Sequence, residues 1–293
     1  MLGAIFRGIG DSKTPLFTVI IACIINIVGD LFLVAGLHMG AVGAAVATVL
    51  AQAVSVVISL RLIRRRKLPF TFQKEDIRFE QRIIAKELKL GIPVGVQEFL
   101  VGTSFLVIQT VVNSFGVTAS AGVGVAKKVC VFIMLVPSAY MQSMSAFVAQ
   151  NMGAGNPKRA DKALICGVST AFCVGLLMCG LTFFHGNAMA ALFSGDADVI
   201  DAAHSYLKAY AIDCLLTSFL FCFIGYFNGR EKTLFVMLQG LIGAFGVRIP
   251  VVWLVSRIPG ATLFQIGLGT PASSLVQVIL CLGMFAWIHR AKR

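Results

Sequence analysis

Apolar residues dominate eight long stretches of the chain, and shorter polar or charged segments separate these stretches. Each stretch has the roughly 20 residues that a helix needs to cross a hydrocarbon layer about 30 Å thick. The runs are too long for membrane strands and lack the polar alternation of such strands. The pattern predicts an all-α integral membrane protein, with spans at 16–37, 40–62, 92–115, 119–150, 160–184, 203–227, 233–255 and 262–288.

Composition agrees with this prediction. Hydrophobic residues make up 58% of the 293 residues, charged residues make up 13%, and the mean hydropathy is +0.88. These values exclude an ordinary soluble domain. All eight cysteines lie inside apolar runs and none has the spacing of a metal ligand, so we interpret them as small packing residues.

The charged residues predict the orientation of the spans. Alternating loops place 20 Lys and Arg residues on one side of the membrane and only Arg257 on the other. This bias predicts that the basic side, including the C-terminus, is cytoplasmic in a plasma or inner membrane. The net charge of +12 then reflects topology and contact with membrane lipids, and not a nucleic-acid partner.

Two segments near the start of the chain have similar counterparts about 220 residues later. FRGIGDSKTPLF resembles FNGREKTLF, with an offset of 219 between Lys13 and Lys232, and two segments that end at Gln52 and Gln277 are offset by 225. Internal repeats of this kind are common in transporters. Subtracting the offset from the later six-span unit gives the expectation that the chain is the C-terminal two-thirds of a twelve-helix protein, without its first four spans.

FRGIGDSKTP, SAFVAQNMGAGNPKRA and FNGREKT, each on a predicted cytoplasmic turn, resemble the multidrug and toxic compound extrusion (MATE) transporters. The resemblance implies two six-helix lobes around a cleft and export of lipophilic organic cations in exchange for Na⁺ or H⁺. The long basic stretch at 64–89 predicts a cytoplasmic amphipathic linker with a helix from Glu75 on. With the resemblance, this linker divides the chain into the last two helices of an N-terminal lobe (1–63) and a C-terminal six-helix lobe (90–293).

Two carboxylates inside the spans are candidate ion- or substrate-binding residues, because a charge at mid-bilayer costs about 2.5–3.5 kcal/mol by insertion scales. The resemblance implies that acids on the seventh and tenth helices of the family bind the coupling cation. Glu98 and Asp213 lie on the matching helices, each about one turn from the family's position. No other metal site and no cofactor is expected.

Helical periodicity groups other polar residues with these acids. Glu98, Gln109 and Asn113 fall on one stripe of their span, which indicates either a cavity or a hydrogen-bonded helix contact. Tyr210 and Thr217 share the face of Asp213 and add two oxygens, a cluster that suits Na⁺, whereas the carboxylate alone suits H⁺. The alternative for Asp213 is a structural ion pair.

Four further residues have two interpretations each. Asp30, with Asn26 one turn away, lines the N-lobe side of the cleft or holds two helices together. Arg248 lies close to Pro250, which kinks a helix, and is a candidate ion-pair partner of a carboxylate or, alternatively, a direct ligand contact. Lys127 and Lys128 are candidate partners of Asp213, or they extend toward the membrane surface.

The sequence therefore favours a secondary antiporter, and it leaves the substrate, the coupling ion and the oligomeric state open. A flippase for lipid-linked oligosaccharides normally needs more cationic cleft residues, and a non-functional fragment is the remaining alternative. An intramembrane enzyme is not expected, because the four histidines lie near span ends and have no metalloprotease-like spacing.

Overall fold

The computed structural model describes residues 2–65 and 79–290, and every regular element within these residues is helical. Eight helices in this part of the chain are long and apolar enough to cross a membrane, which confirms the all-α prediction with eight spans. The helices are α1 (Leu2–Gly8), α2 (Lys13–Asp30), α3 (Gly40–Arg65), α4 (Gln81–Asn113), α5 (Val117–Gly153), α6 (Pro157–Ala191), α7 (Ala197–Gly229), α8 (Thr233–Leu241), α9 (Ile249–Ser256), α10 (Leu263–Gly267) and α11 (Gly269–Arg290).

Two π-helical segments interrupt the spans. The first (Leu31–Gly36) follows Asp30 at the end of α2, and the second (Ile242–Arg248) joins α8 to α9. Pro250, just after the second segment, lacks a backbone N–H donor. Both charges that the sequence places in corresponding spans, Asp30 and Arg248, thus border a π segment. Such segments are frequent at functional sites.

The chain forms two compact units, which we call the first unit (Met1–Glu80) and the second unit (Gln81–Arg293). Residues 81–89, predicted as the helical end of the linker, are helical and form the start of α4, which continues into its span without a break. Most residues of this stretch, QRIIAKELK, are good helix formers, so a continuous helix costs little. Glu75 and Ile77 of the predicted amphipathic helix lie outside the described residues.

Helix α7 is the centre of the second unit. In its span, 67% of the most apolar 18 residues are buried, whereas none of the other seven spans in the described part of the chain exceeds 39%. Small residues allow this close packing. A Cβ atom added to Gly225 would lie 2.4 Å from the carbonyl oxygen of Met141 on α5, and one added to Gly122 would lie 2.6 Å from Cβ of Ala202.

The first unit is built around the pair of α2 and α3. These helices meet where Gly29 faces Ala47, since a Cβ on Gly29 would lie 3.0 Å from that of Ala47.

All eight cysteines of the chain carry free thiols, and Cys130, Cys214, Cys222 and Cys281 are buried. Their burial within helices of the second unit agrees with the predicted packing role.

Candidate functional site

A cavity of about 300 Å³ lies inside the second unit. Its walls come from α4, α5 and α7, from the end of the second π segment and from α11. Two acids and one cation face it, namely Glu98, Asp213 and Arg248. Amide and hydroxyl groups also line it, among them those of Gln97, Asn228, Thr270, Ser274 and Gln277.

Asp213 is the more deeply placed of the two acids, with only 1% of its surface exposed. Its Oδ1 atom is buried and has no hydrogen-bond partner among the described residues. Tyr210 and Thr217 also line the cavity, as their helical spacing predicts. The Thr217 hydroxyl donates to the Asp213 carbonyl oxygen at 2.9 Å, which leaves its oxygen lone pairs available.

Arg248 lies at the end of the second π segment and is 6% exposed. Its Nη1 atom donates to Oγ of Ser104 at 3.1 Å, and its guanidinium carbon lies 4.5 Å from the centre of the Phe105 ring. Ser274 interacts with the Asp213 side chain through a hydrogen bond, and Arg248 interacts with it through its charge. In residues 79–290, however, no N–O distance of 4.0 Å or less joins Arg248 to a carboxylate. Arg248 and Asp213 therefore line the same cavity, as expected of ion-pair partners, but they form no direct ion pair.

Glu98 lines the cavity as a more exposed residue, and its neighbour Gln97 is buried. Gln97 packs over Gly240, because a Cβ there would lie 3.0 Å from Nε2 of Gln97. Sequence reasoning missed this amide and, among the other polar residues of the lining, Asn228, Thr270, Ser274 and Gln277. The signal was helical spacing, since Gln97 and Ser104 are seven residues apart, and Thr270, Ser274 and Gln277 follow one another at intervals of four and three residues.

Gln109 and Asn113 do not share the cavity of Glu98. They form a separate hydrogen-bonded network with Ser120 and Lys127.

Lys127 donates to Gln109 and does not contact Asp213. Lys128 is exposed and lies 5.9 Å from the centre of the Phe193 ring. The structure thus does not bring either lysine to Asp213 as an ion-pair partner.

The predicted residues of the first unit lie between α2 and α3. Asn26 donates from Nδ2 to Oγ1 of Thr48 at 3.3 Å, so its bond to the other helix does not involve Asp30. Asp30 is partly buried, and its Oδ1 atom has no hydrogen-bond partner in the described residues.

Sequence reasoning also missed a cluster around Asp161, which lies near the start of α6. Oδ1 of Asp161 accepts hydrogen bonds from Tyr226 and from Nη2 of Arg230, the latter at 2.8 Å. Its Oδ2 atom lies 3.0 Å from Nε2 of His289. Asp161, Tyr226, Arg230 and His289 therefore tie the ends of three helices together, and we call them the Asp161 cluster.

The cavity around Asp213 has the chemistry of an ion-exchange site. A buried carboxylate oxygen without a partner accepts either a proton or a small hard cation. Hydroxyl oxygens of Thr217, Tyr210 and Ser274 are the ligand type that Na⁺ prefers, whereas the positive charge of Arg248 opposes the binding of a second cation.

The same cavity also has an apolar lining. Phe105, Met134 and Met141 contribute an aromatic ring and thioethers, groups that suit lipophilic cations.

Comparisons with known proteins agree with this architecture. The sequence model of the MatE family matches residues 93–254. The chain is 25% identical over 294 residues to the probable multidrug resistance protein YoeA of Bacillus subtilis, covering 98% of this chain and 64% of the relative. It is 24% identical over 262 residues to the multidrug export protein MepA of Staphylococcus saprophyticus, covering 87% of this chain and 56% of that relative.

Solved structures share the fold. A transporter of the MOP superfamily from Pyrococcus furiosus superposes with a TM-score of 0.91 at 19% identity, over 99% of this chain and 65% of the other. A point mutant of the MATE transporter VcmN of Vibrio cholerae gives a TM-score of 0.89 at 17% identity over the same shares. The chain thus spans about three-fifths of the length of its curated relatives, 64% of YoeA and 56% of MepA.

Proposed function

The chain belongs to the MatE family, and we propose that it exports lipophilic organic cations through the cavity of Asp213 in exchange for H⁺ or Na⁺. The names of its relatives support this proposal, since they are multidrug resistance and multidrug export proteins. These names do not favour the flippase alternative. In the same proposal, the basic loops and the C-terminus lie on the cytoplasmic side of the cell membrane.

The observation that carries the proposal is the buried state of Asp213. A carboxylate that is 1% exposed at membrane depth is costly unless it is paired, and its Oδ1 atom has no hydrogen-bond partner among the described residues. Function explains such a residue better than stability does, because a well-packed apolar residue would stabilise the helix contact more.

Exchange follows from competition for one negative charge. When Asp213 is ionised, its carboxylate attracts the positive group of a substrate whose apolar body contacts Phe105 and the methionines. When Asp213 takes up H⁺ or Na⁺, this attraction is lost and the substrate dissociates. Arg248 keeps the net charge of the cavity low, so that either ligand is released as well as bound.

The test is cation binding by the purified 293-residue chain in detergent, followed by the fluorescence anisotropy of ethidium. We expect binding to the wild-type chain to weaken on acidification if H⁺ is the competitor, or on addition of Na⁺ if Na⁺ is. Asp213→Asn should bind ethidium weakly and without dependence on either ion, because the amide has nearly the same shape but cannot change its charge.

Asp201→Asn is the matched control, since Asp201 is an exposed acid on the same helix. It should retain the wild-type affinity and the wild-type ion dependence. If Asp213→Asn shows the ion dependence of the wild-type chain, Asp213 is not the site of exchange.

A further inference from the structure

Lys127 of α5 is held in a fixed position near the end of α4. Its Nζ atom donates to Oε1 of Gln109 at 2.7 Å, and Nε2 of Gln109 donates to Oδ1 of Asn113 at 3.0 Å. The Ser120 hydroxyl donates to the same Asn113 oxygen at 2.7 Å. Every partner in this network is neutral. The network therefore orients the ammonium group without neutralising its charge.

No carboxylate compensates this charge within residues 79–290, where Lys127 forms no ion pair. An ammonium group has three donors, and Gln109 accepts from only one of them. Lys127 is partly buried, whereas its neighbour Lys128 is exposed and faces an aromatic ring. A cation that is held at membrane depth without a counter-ion is expensive unless it serves a ligand.

The ammonium group faces a cavity of about 500 Å³ whose remaining lining is mostly apolar and aromatic. This cavity shares Phe105, Met134, Ser138 and Tyr210 with the cavity of Asp213. The two cavities are thus adjoining parts of one binding space. Along α5, Lys127 precedes the shared Met134 by two turns, which is about 10 Å of helix.

We propose that Lys127 binds an anionic group of the transported molecule, a carboxylate in the first instance. This inference rests on the proposed function and narrows its substrate class to molecules with an aromatic body that carry a negative group as well as a positive one. The positive group interacts with Asp213, the aromatic body contacts Phe105 and Tyr210, and the negative group reaches Lys127. A purely cationic substrate would leave Lys127 without a counter-ion.

Two dyes with the same ring system test this proposal. Rhodamine 6G is a cationic ester, and rhodamine 19 is its free acid, a zwitterion. We would measure the affinity of the purified chain for both by fluorescence anisotropy in a non-ionic detergent without added lipid. For the wild-type chain, the ratio of acid affinity to ester affinity should exceed that of Lys127→Gln about tenfold, the size of one charge-assisted hydrogen bond.

Lys127→Arg should keep the wild-type ratio, and Lys128→Gln is the matched control that should keep it as well. Lys127→Met, which has a similar length and no charge, replaces Lys127→Gln if that variant does not fold. If the ratio is unchanged in the uncharged variant that folds, the inference is wrong although the proposed function stands. If the wild-type chain does not bind the ester, the proposed function itself fails.

Discussion

The second unit contains two aspartate–arginine pairs with opposite surroundings. In the Asp161 cluster, Arg230 is 5% exposed at its side chain and bonds directly to Asp161, and Tyr226 and His289 occupy the remaining oxygen positions. At the cavity, Asp213 and Arg248 are both buried, but no direct ion pair joins them. In the first pair both carboxylate oxygens have partners, so we call it the saturated pair. In the second, Oδ1 of Asp213 has none among the described residues, so we call it the open pair, and in each pair Nε of the arginine lacks a partner.

This difference separates a structural charge from an exchangeable one. A carboxylate whose oxygens are all bonded resists protonation and fixes the helices that it joins. A carboxylate with an unpartnered oxygen retains the capacity to bind an additional ligand. Burial alone therefore does not identify the functional acid, and the state of its hydrogen bonds does.

The largest stability effect should follow from breaking the saturated pair. Asp161→Ala leaves Arg230 buried without its carboxylate and removes the partner of Tyr226 and His289. We expect a loss of about 2–4 kcal/mol in the free energy of unfolding, measured by chemical denaturation in mixed micelles. Ethidium binding should be unchanged where the variant is folded.

Asp198→Ala is the control for this substitution, since Asp198 is an exposed acid in the first turn of α7. It should change the unfolding free energy by less than about 0.5 kcal/mol. Equal stability of Asp161→Ala and Asp198→Ala would show that the Asp161 cluster contributes nothing to helix packing.

The eight spans and the isolated charges were predictable from the sequence, because a charge inside a long apolar run stands out. Asp213 and Arg248 were found in this way. Asp161 was not, since it lies beside Lys158, Arg159 and Lys162 at the start of its span, where a charge needs no explanation. Its partners Tyr226 and His289 are 65 and 128 residues away, and only the tertiary packing brings them together.

The polar stripe of α4 shows the other limit of periodicity. Gln109 shares a helix face with Glu98, but their separation of eleven positions corresponds to about 16 Å along the axis. This distance places the two residues in different networks, one at the cavity and one at Lys127. Periodicity predicts a face and not a site.

Double-mutant cycles would measure how far the two pairs differ. Asp213→Asn, Arg248→Met and their combination should give a coupling energy of about 1–2 kcal/mol, because the charges interact without direct contact. The cycle of Asp161→Asn with Arg230→Met should give a larger value, since these side chains share a hydrogen bond of 2.8 Å. Unfolding free energies in the same micelles provide both numbers. Equal coupling energies would remove the distinction between a saturated pair and an open one.

The smallest effect concerns the π segment that positions Arg248. A Cβ on Gly243 would lie 2.3 Å from Nε2 of Gln277, which lines the cavity and donates to Ser273. At Gly246, in the same segment, the nearest contact would be an ordinary 3.8 Å to Ile242.

Alanine generally stabilises a helix relative to glycine, so the two substitutions share this gain and differ in the clash. We expect Gly243→Ala to be about 1 kcal/mol less stable than Gly246→Ala, because Gln277 must move and give up its hydrogen bond to Ser273. The displaced amide also changes the wall beside Asp213, so Gly243→Ala should bind ethidium several-fold more weakly than Gly246→Ala does. Identical ethidium affinities in the two variants would mean that ligand binding at Asp213 and Arg248 does not depend on the position of Gln277.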